Sequence, residues 1–529
     1  MRANKLSCLL LIFISALTSC GGNSFVAFNF NETFQTQKVA MSTEQYYRNE
    51  TYNSISYRAR DGIKTINTYR DLYSSKSNTN PQSFINAESI GEINALVIPV
   101  NFLDTNKSKN NTKLTNIKNA FFGQSSKTSY YSVSEYYYKT SYGQLKFNGF
   151  VTDFYTFPKT IAEMQKVSKS VSTSRRIAAY ALDWFYNTYP DVDISKFDID
   201  NDKYIDALYL IYDHPYTMPT NTDELFWAYV DHTYRNEGRD GEIRNNHETC
   251  VSTYAWISYD FLKKNGTNKP DTRTLIHESG HIFGLEDYYN TSNNGVFQPT
   301  GFMDMMDCNI GDHTAFSKML LNWVTPIVIK DETTINIHPF SSSGDLILIP
   351  TSKGWNGTPY DEYLLLEFYS PVQTNSKDAG VKYNYINSNG EKGSFKFFSK
   401  PGLKVYHVDA RLGLFETKNS GVPFALLDDV NLDEKIDKYI NEKTNNYCID
   451  FAFDNSPTYY QDKPVLYHLL ERGGDNTFKE GNPGGNETLF VAGDNFNNFN
   501  FTFNNGGSLP FTFKIDLLNK NNIQLTFLK

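Results

Sequence analysis

The feature that most constrains this chain is the spacing of His277, Glu278 and His281, a His-Glu-x-x-His pattern within the stretch 274–289. On an α-helix, side chains four positions apart lie one above the other on the same face, so the two imidazoles can bind one metal ion. The apolar residues around them, followed by Gly284, are typical of a buried helix that ends at a residue with positive φ. The pattern predicts a zinc site with His277 and His281 as ligands and Glu278 as the general base toward a zinc-bound water.

The residues after His281 indicate a third ligand. Gly284 follows His281 by three residues, and Asp287 follows Gly284 by three. A chain that turns back at Gly284 brings Asp287 toward the histidines, and a carboxylate oxygen is an accepted zinc ligand. The whole pattern resembles the metzincin layout, with aspartate in place of the third histidine. We expect Asp287 to be the ligand; the alternatives are Glu286, one residue off this layout, and Glu332, as in a thermolysin-like arrangement.

A second motif lies at 302–307, where three of the eight methionines of the chain fall within four positions. Metzincins place a methionine turn beneath the zinc site, after the ligand helix. We predict that Met306 is the methionine of this turn, with Met305 as the alternative. Methionine also fills gaps in ordinary cores, but two independent motifs together favour a zinc site over a chance match on a core helix.

Composition and charge narrow the class of protein. A chain of 529 residues is too long for one ordinary core, so two or more domains are expected. Charged residues make up 21% and aromatic residues 15%, mostly 37 Tyr and 39 Phe, which is a globular composition rich in strand-forming residues. The net charge of −9 gives no reason to expect nucleic acid as a partner.

The N-terminus has the features of an export signal. A basic start is followed by an apolar run at 8–17, ten residues that are too few to span a bilayer. The run ends at Leu17-Thr-Ser-Cys20, which resembles the cleavage box of bacterial lipoproteins. This implies a signal peptide at 1–19, a lipid on the thiol of Cys20 and an extracytoplasmic protein anchored to the cell membrane. The three later thiols are too few and too widely spaced for a disulfide framework: Cys250, Cys308 and Cys448.

An acidic segment at 198–206 precedes the apolar strand predicted at 207–212. Carboxylates at alternate positions, with another after an apolar residue, resemble a calcium loop, and the candidate ligands are Asp198, Asp200, Asp202 and Asp206. Lys203 stands where an EF-hand requires glycine, so a full EF-hand is excluded. A solvated acidic turn is the alternative, and the segment 429–437 repeats the spacing more weakly.

The distribution of apolar segments predicts an α+β protein. After a polar tether at 20–90, the segment 91–330 contains a buried strand at 95–102, helical spacing at 132–139 and 168–186, and the zinc motif. From 331 to 529, strand-like segments alternate with turns rich in Gly, Asn and Ser. We expect a catalytic domain at 91–330 and a β-rich domain, a sandwich, at 331–529.

These residues together resemble the immune inhibitor A (thuringilysin-like) family of bacterial secreted zinc metallopeptidases, over roughly residues 92–410. The resemblance includes the strand at 96–102, the acidic loop, the zinc segment at 277–289 and the methionine turn with 317–323. It implies a metzincin-like domain in which His277, His281 and Asp287 bind zinc, Glu278 is catalytic and Met306 lies in the turn. Glu286 departs from the family, in which proline is frequent at this position.

The expected function is a surface-anchored zinc endopeptidase that acts on extracellular proteins or peptides. Tyr289 is a candidate for the substrate site, and packing beneath the zinc helix is the alternative for its side chain. Another interpretation is a binding lipoprotein, such as an adhesin, that retains the peptidase fold without activity. The intact set of His277, Glu278, His281 and Asp287 favours the enzyme.

Overall fold

The computed structural model describes residues 87–529, apart from 168–171, 220–223, 233–246, 264–265, 291–296, 356, 358, 387–391, 417–422, 427–446, 456–463 and 498–500. The predicted export signal, the lipidation site at Cys20, nearly all of the tether and the second acidic loop at 429–437 therefore lie outside the described residues. Among the residues described, no helix combines the length and the apolar character needed to cross a bilayer.

The α-helices are short, apart from two. They are α1 (Asn110–Phe122), α2 (Val133–Thr140), α3 (Ile161–Val167), α4 (Ser172–Thr188), α5 (Arg273–Ile282), α6 (Met305–Cys308), α7 (Ala315–Leu320) and α8 (Phe340–Ser343). Single turns of 3-10 helix lie at Lys107–Lys109, Ile194–Phe197, Tyr259–Leu262, Gln373–Lys377, Thr477–Glu480 and Asn486–Thr488.

Among the described residues, the strands fall into five sheets. In the first part of the chain they are β1 (Gly91–Asn101), β2 (Leu145–Val151), β3 (Tyr155–Thr156), β4 (Leu208–Tyr212), β5 (Tyr229–His232) and β6 (Thr253–Ser258). The later strands are β7 (Ile327–Val328), β8 (Thr333–Ile337), β9 (Leu346–Pro350), β10 (Glu362–Tyr369), β11 (Lys382–Ile386), β12 (Lys392–Lys396), β13 (Gly402–Asp409), β14 (Leu412–Glu416), β15 (Pro423–Leu426), β16 (Tyr447–Phe451), β17 (Tyr467–Leu470), β18 (Asn495–Phe496), β19 (Thr512–Leu518) and β20 (Ile523–Leu528).

The first sheet has the order β2-β1-β4-β6-β5, and β3 pairs with the end of β1. Its central strands are parallel, whereas β5 is antiparallel to β6 and lies at the edge. Along β1, Ala95 and Val97 enter the apolar cluster on one face, and Leu96 and Ile98 enter the cluster on the other. Because both faces are covered, the strand is a continuous apolar run in the sequence.

Helices cover both faces of this sheet. Ile276 of α5 and Tyr137 of α2 belong to the cluster on one face, and Ile177 and Leu182 of α4 belong to the cluster on the other. Two helices expected from apolar spacing are therefore present, α4 near 168–186 and α2 near 132–139. The Ser132 side chain caps α2 by accepting a hydrogen bond from the Glu135 N–H at 3.2 Å.

The second half of the chain is dominated by two further sheets. One has the order β17-β13-β10-β9-β7, and the other has the antiparallel order β18-β19-β20-β8. Apolar side chains of both meet in one buried cluster, for example Ile347 and Leu364 from the first with Ile335 and Leu525 from the second. The chain is thus a mixed α and β protein with several sheets, and the expected sandwich stays a prediction.

One apolar cluster joins the two halves of the chain. It contains Ile276 and Met306 from the region of the zinc motif, and also Leu365 and Tyr406 from the five-stranded sheet. The β-rich half therefore packs directly against the elements that carry the candidate site.

Candidate metal centre

The helix α5 carries the His-Glu-x-x-His pattern and ends as the sequence predicts. Gly284 has a φ of +89° and donates its N–H to the carbonyl of His281 at 2.9 Å. Left-handed backbone of this kind favours glycine. The N-cap of the helix is Thr272, whose side chain accepts no hydrogen bond from a backbone N–H of the first turn.

The turn at Gly284 brings three donor atoms together. Nε2 of His277 lies 3.1 Å from Oδ1 of Asp287, and Nε2 of His281 lies 3.3 Å from the same oxygen. The two Nε2 atoms are 3.2 Å apart. One ligand atom from each of the three residues therefore lies within 4.8 Å of the others, in a group that could hold a metal ion.

Backbone carbonyls fix the orientation of both imidazoles. Nδ1 of His277 lies 2.9 Å from the carbonyl oxygen of Met305, and Nδ1 of His281 lies 2.7 Å from that of Leu285. Since a carbonyl only accepts, each Nδ1 carries a proton, and each Nε2 is the nitrogen left to face a metal ion. Histidine ligands of metals are held in this way. Two such imidazoles and a carboxylate are a donor set that fits zinc.

The charges of the group reinforce one another. Burial alone would lower the pKa of His281, but the nearby Asp287 carboxylate outweighs burial and raises that pKa to about 10. Burial would raise the pKa of Asp287, yet the two histidines hold it well below its ordinary value. The three side chains of His277, His281 and Asp287 thus favour a positive charge among them, which either protons or a metal cation can supply.

Glu278 lies beside the three donor residues His277, His281 and Asp287. It is buried, and burial raises the pKa of its carboxyl above the ordinary value, while His277 and His281 oppose that shift. A carboxylate with a raised pKa is a better proton acceptor than one in bulk water.

The donor group and Glu278 lie in a cleft of about 530 Å³. One wall of the cleft is the edge strand β5 with the residues just before it, and the helix α5 contributes another wall. Most of the remaining lining comes from the turn after α5, including Glu286 and Tyr289, and Phe261 and Asn309 add to it from two other segments. An open cleft beside reactive side chains is the expected form of a substrate site.

Both methionines named at the sequence level contribute to the centre, in different ways. The side chain of Met306 packs beneath α5, where a Cβ atom added to Gly280 would lie 2.9 Å from Met306 Cε. The neighbouring Met305 contributes its carbonyl oxygen to His277. The Met306 carbonyl accepts a hydrogen bond from the Tyr288 N–H at 2.9 Å, which joins the turn to the residue after Asp287.

Residues considered as alternatives lie in other positions. Glu286 and Tyr289 line the cleft, but neither belongs to the group of three donors found among the described residues. The Tyr289 side chain hydrogen-bonds to Asp287, and burial is the main cause that raises the pKa of its hydroxyl. Glu332 is bonded to the backbone N–H of Lys529 at 3.1 Å, on an exposed part of the β-rich half.

A buried carboxylate that sequence reasoning missed anchors the start of α5. Asp378, whose side chain is fully buried, accepts a hydrogen bond from Arg273 Nη2 at 2.7 Å. It also accepts from the backbone N–H of Gly311 and from the Tyr130 hydroxyl, each at 2.7 Å, and from the Tyr383 hydroxyl. The guanidinium carbon of Arg273 lies 4.0 Å from the centre of the Tyr130 ring. One carboxylate thus joins α5, the loop after the methionine turn and the β-rich half.

The acidic loop forms a second group. Asp198, Asp200 and Asp202 place one oxygen each within 4.8 Å of the others, whereas the Asp206 carboxylate is outside this group and accepts from the Ile199 N–H at 2.9 Å. Burial raises the pKa of Asp206 to about 7, and repulsion by the other three carboxylates adds to the shift. Lys203 has a φ of +75°, so the backbone is left-handed where an EF-hand has glycine.

No family model and no curated protein matches the chain. The crystal structure of wild type OgpA from Akkermansia muciniphila aligns with 62% of this chain and 91% of its own, at 14% sequence identity and a TM-score of 0.24. A TM-score this low does not establish a shared fold, so nothing about the chain is inferred from it.

Proposed function

We propose that this chain is a zinc-dependent endopeptidase with a metzincin-like catalytic domain of the immune inhibitor A type. The observation that carries the proposal is the convergence of His277, His281 and Asp287 beside the buried Glu278, in a cleft bounded by a sheet edge. The two histidines would hold zinc through Nε2, and Asp287 would hold it through a carboxylate oxygen.

Each part of the site has a role in peptide hydrolysis. Bound zinc would lower the pKa of a water molecule and polarise the carbonyl of the peptide bond. The Glu278 carboxylate accepts a proton from the attacking water, whose oxygen adds to the carbonyl carbon. The Glu278 carboxyl group then delivers that proton to the nitrogen of the leaving amine as the C–N bond breaks. The carbonyl groups of Met305 and Leu285 keep the imidazoles in the orientation that the site requires.

The cleft suits an extended peptide as substrate. In the described sheet, β5 pairs with β6 along one side and lies at the edge, and Tyr229 and Val230 of this strand line the cleft. An extended substrate chain could add to this edge by main-chain hydrogen bonds, a common way in which proteins bind peptides.

Three accompanying proposals come from the sequence. The chain would be exported and anchored to the membrane by a lipid on Cys20, the β-rich half would be a sandwich, and calcium would bind at Asp198, Asp200 and Asp202. The convergence of these three carboxylates supports the calcium proposal. Loss of labelled fatty acid from the Cys20→Ser protein, with labelling of the unchanged protein, would test the anchor.

The decisive experiment uses the purified full chain with casein as substrate. We expect cleavage that stops with a chelator and returns with zinc, and about one zinc ion per chain by elemental analysis. The Glu278→Gln protein should retain its zinc and lose turnover by at least about 1,000-fold. Full activity of Glu278→Gln with zinc bound would refute the proposed role of Glu278. Zinc binding by the unchanged chain without cleavage of any protein would favour the binding lipoprotein.

A further inference from the structure

Three aromatic rings form a cluster beside the cleft, and two of them, Trp227 and Phe261, line it. The rings of Tyr216 and Phe261 are stacked, with centroids 4.3 Å apart and an angle of 13° between their planes. The Trp227 ring meets both edge-on, at 5.5 Å from Tyr216 and 5.3 Å from Phe261. These contacts hold the rings in a fixed arrangement, because edge-on and stacked pairs are favourable geometries.

This ring cluster (Tyr216, Trp227 and Phe261) remains partly open to solvent. Tyr216 is 42% exposed and the adjacent Met218 is 70% exposed, while Trp227 and Phe261 are half-buried. Both of the half-buried rings line the cleft that also contains Glu278. Apolar side chains gathered at the mouth of a cleft and left accessible to water are typical of a ligand-binding surface.

The charge of the cleft limits what this surface can accept. Glu278, Glu286 and Asp287 all line the cleft, and the described residues that line it include neither lysine nor arginine. At the ring cluster, an acidic side chain of a substrate would lose its hydration without a lysine or arginine of the described lining to pair with. A neutral apolar side chain would instead bury its surface against rings that are already held in place.

We infer that the ring cluster is a specificity subsite for one bulky apolar side chain of the peptide substrate, aromatic side chains foremost. The inference rests on the proposed peptidase function and specifies its substrate class: peptides with a large apolar residue near the scissile bond. The contact between rings gives aromatic residues an advantage over aliphatic ones of similar size. Acidic residues at the same substrate position are disfavoured.

The test uses quenched fluorogenic peptides in sets of three, which carry Phe, Ala or Glu at one position and are otherwise identical. A separate set is made for each position on either side of the scissile bond. At one position, we expect kcat/KM to be about 10- to 100-fold higher for Phe than for Ala, the scale of discrimination that a hydrophobic pocket provides. Glu should be the poorest of the three residues at that position.

Variants then locate the subsite on the protein. Trp227→Ala and Phe261→Ala should each reduce the preference for Phe over Ala to less than about 3-fold, mainly by lowering kcat/KM for the Phe peptide. Trp355→Ala is the matched control, since Trp355 is also a half-buried tryptophan packed on a tyrosine, Tyr363, but it lies in the β-rich half and outside the cleft lining. The control should keep the preference of the unchanged chain.

A binding measurement separates failure of the subsite from failure of the proposed function. Zinc-loaded Glu278→Gln protein is titrated with the Phe and Ala peptides carrying a fluorescent label, and anisotropy gives the dissociation constants. We expect the Glu278→Gln protein to bind the Phe peptide more tightly than the Ala peptide. Loss of this difference in the double variant with Trp227→Ala supports the subsite, even if no peptide is ever cleaved. Cleavage without a preference for Phe at any position, or a preference that Trp227→Ala and Phe261→Ala leave intact, would overturn it.

Discussion

The side chain of Met306 lies directly against Gly280, so closely that a Cβ atom at Gly280 would approach Met306 Cε to 2.9 Å and Sδ more closely still. Gly280 stands immediately before the proposed ligand His281, in the last turn of α5. Its missing side chain therefore leaves the space in which the methionine supports the histidine helix from below.

The first prediction follows from this contact. In an ordinary helix, replacing Gly by Ala stabilises the protein by up to about 1 kcal/mol. Here we expect Gly280→Ala to do the opposite and to weaken zinc binding by about 10- to 100-fold, because α5 must move away from Met306. Thermal unfolding and competition with a chelator measure both effects. Adding Met306→Ala should return part of the lost stability; a Gly280→Ala protein more stable than the unchanged chain would show that the contact is not restrictive.

The second prediction distinguishes two adjacent carboxylates. Oδ1 of Asp287 lies 3.1 Å from Nε2 of His277, whereas Glu286 lines the cleft without joining the donor group. We expect Asp287→Ala to weaken zinc binding by more than about 100-fold, since loss of even an outer partner of a ligand costs about 10- to 100-fold. Glu286→Gln should change the affinity for zinc by less than about 3-fold. Competition with a chelator gives the zinc dissociation constant of each variant. If Glu286→Gln weakened zinc binding more than Asp287→Ala, the third ligand would be Glu286.

A third prediction concerns Asp378, which the β-rich half contributes to the start of α5. Asp378→Asn removes the buried charged partner of Arg273, which then keeps only the partly exposed Asp271, so we expect a loss of about 3 kcal/mol in the free energy of unfolding. Since α5 carries two ligands, zinc binding should weaken as well.

A matched ion pair controls for stability alone. Asp409, also fully buried, accepts two hydrogen bonds from Arg411 at 2.7 Å within the β-rich half. Asp409→Asn should destabilise the chain without changing zinc affinity, measured at a temperature where both variants are folded. Equal zinc affinity in the two variants would show that Asp378 has no specific effect on the centre.

The fourth prediction concerns pH and the acidic loop. Burial raises the pKa of Asp206 from 3.8 to about 7, so the folded chain holds a proton that the unfolded chain has released between these values. The contribution of Asp206 to stability therefore falls as pH rises from about 4 to about 7, and it stays low above that.

Calcium bound by the neighbouring carboxylates would offset their repulsion with the ionised Asp206. We expect added calcium to raise the melting temperature more at about pH 8 than at about pH 5. Equal shifts at both pH values would contradict the coupling to Asp206, and the absence of a shift at either pH would contradict the calcium site.

The sequence predicted the local parts of the site better than the parts that come from distant segments. The position of Gly284 and the periodicity of α5 depend on neighbouring residues, so short-range rules apply to them. The same holds for β1, whose apolar run reflects burial on both faces. Spacing along the chain also led to Asp287, because the distance from His281 to Asp287 is covered by one turn.

Other features of the site had no local signal. The carbonyls of Met305 and Leu285 orient the histidines through the backbone, which every residue possesses, so residue type does not reveal them. Asp378 is an ordinary aspartate in a polar segment until the fold places Arg273 beside it. Trp227 and Phe261 join one wall only because β5 and the turn after β6 meet in the tertiary structure.

The bond between Arg273 and Asp378 spans 105 positions of the chain. A ribosome adds His277, Glu278 and His281 well before it adds Asp378, so a growing chain contains the helix proposed to bind zinc before the carboxylate that holds its start. If Asp378 holds α5 as proposed, we expect the centre to take its final geometry only after residue 378 has been added. For a peptidase, this order of synthesis would keep an incomplete chain from cutting the proteins around it.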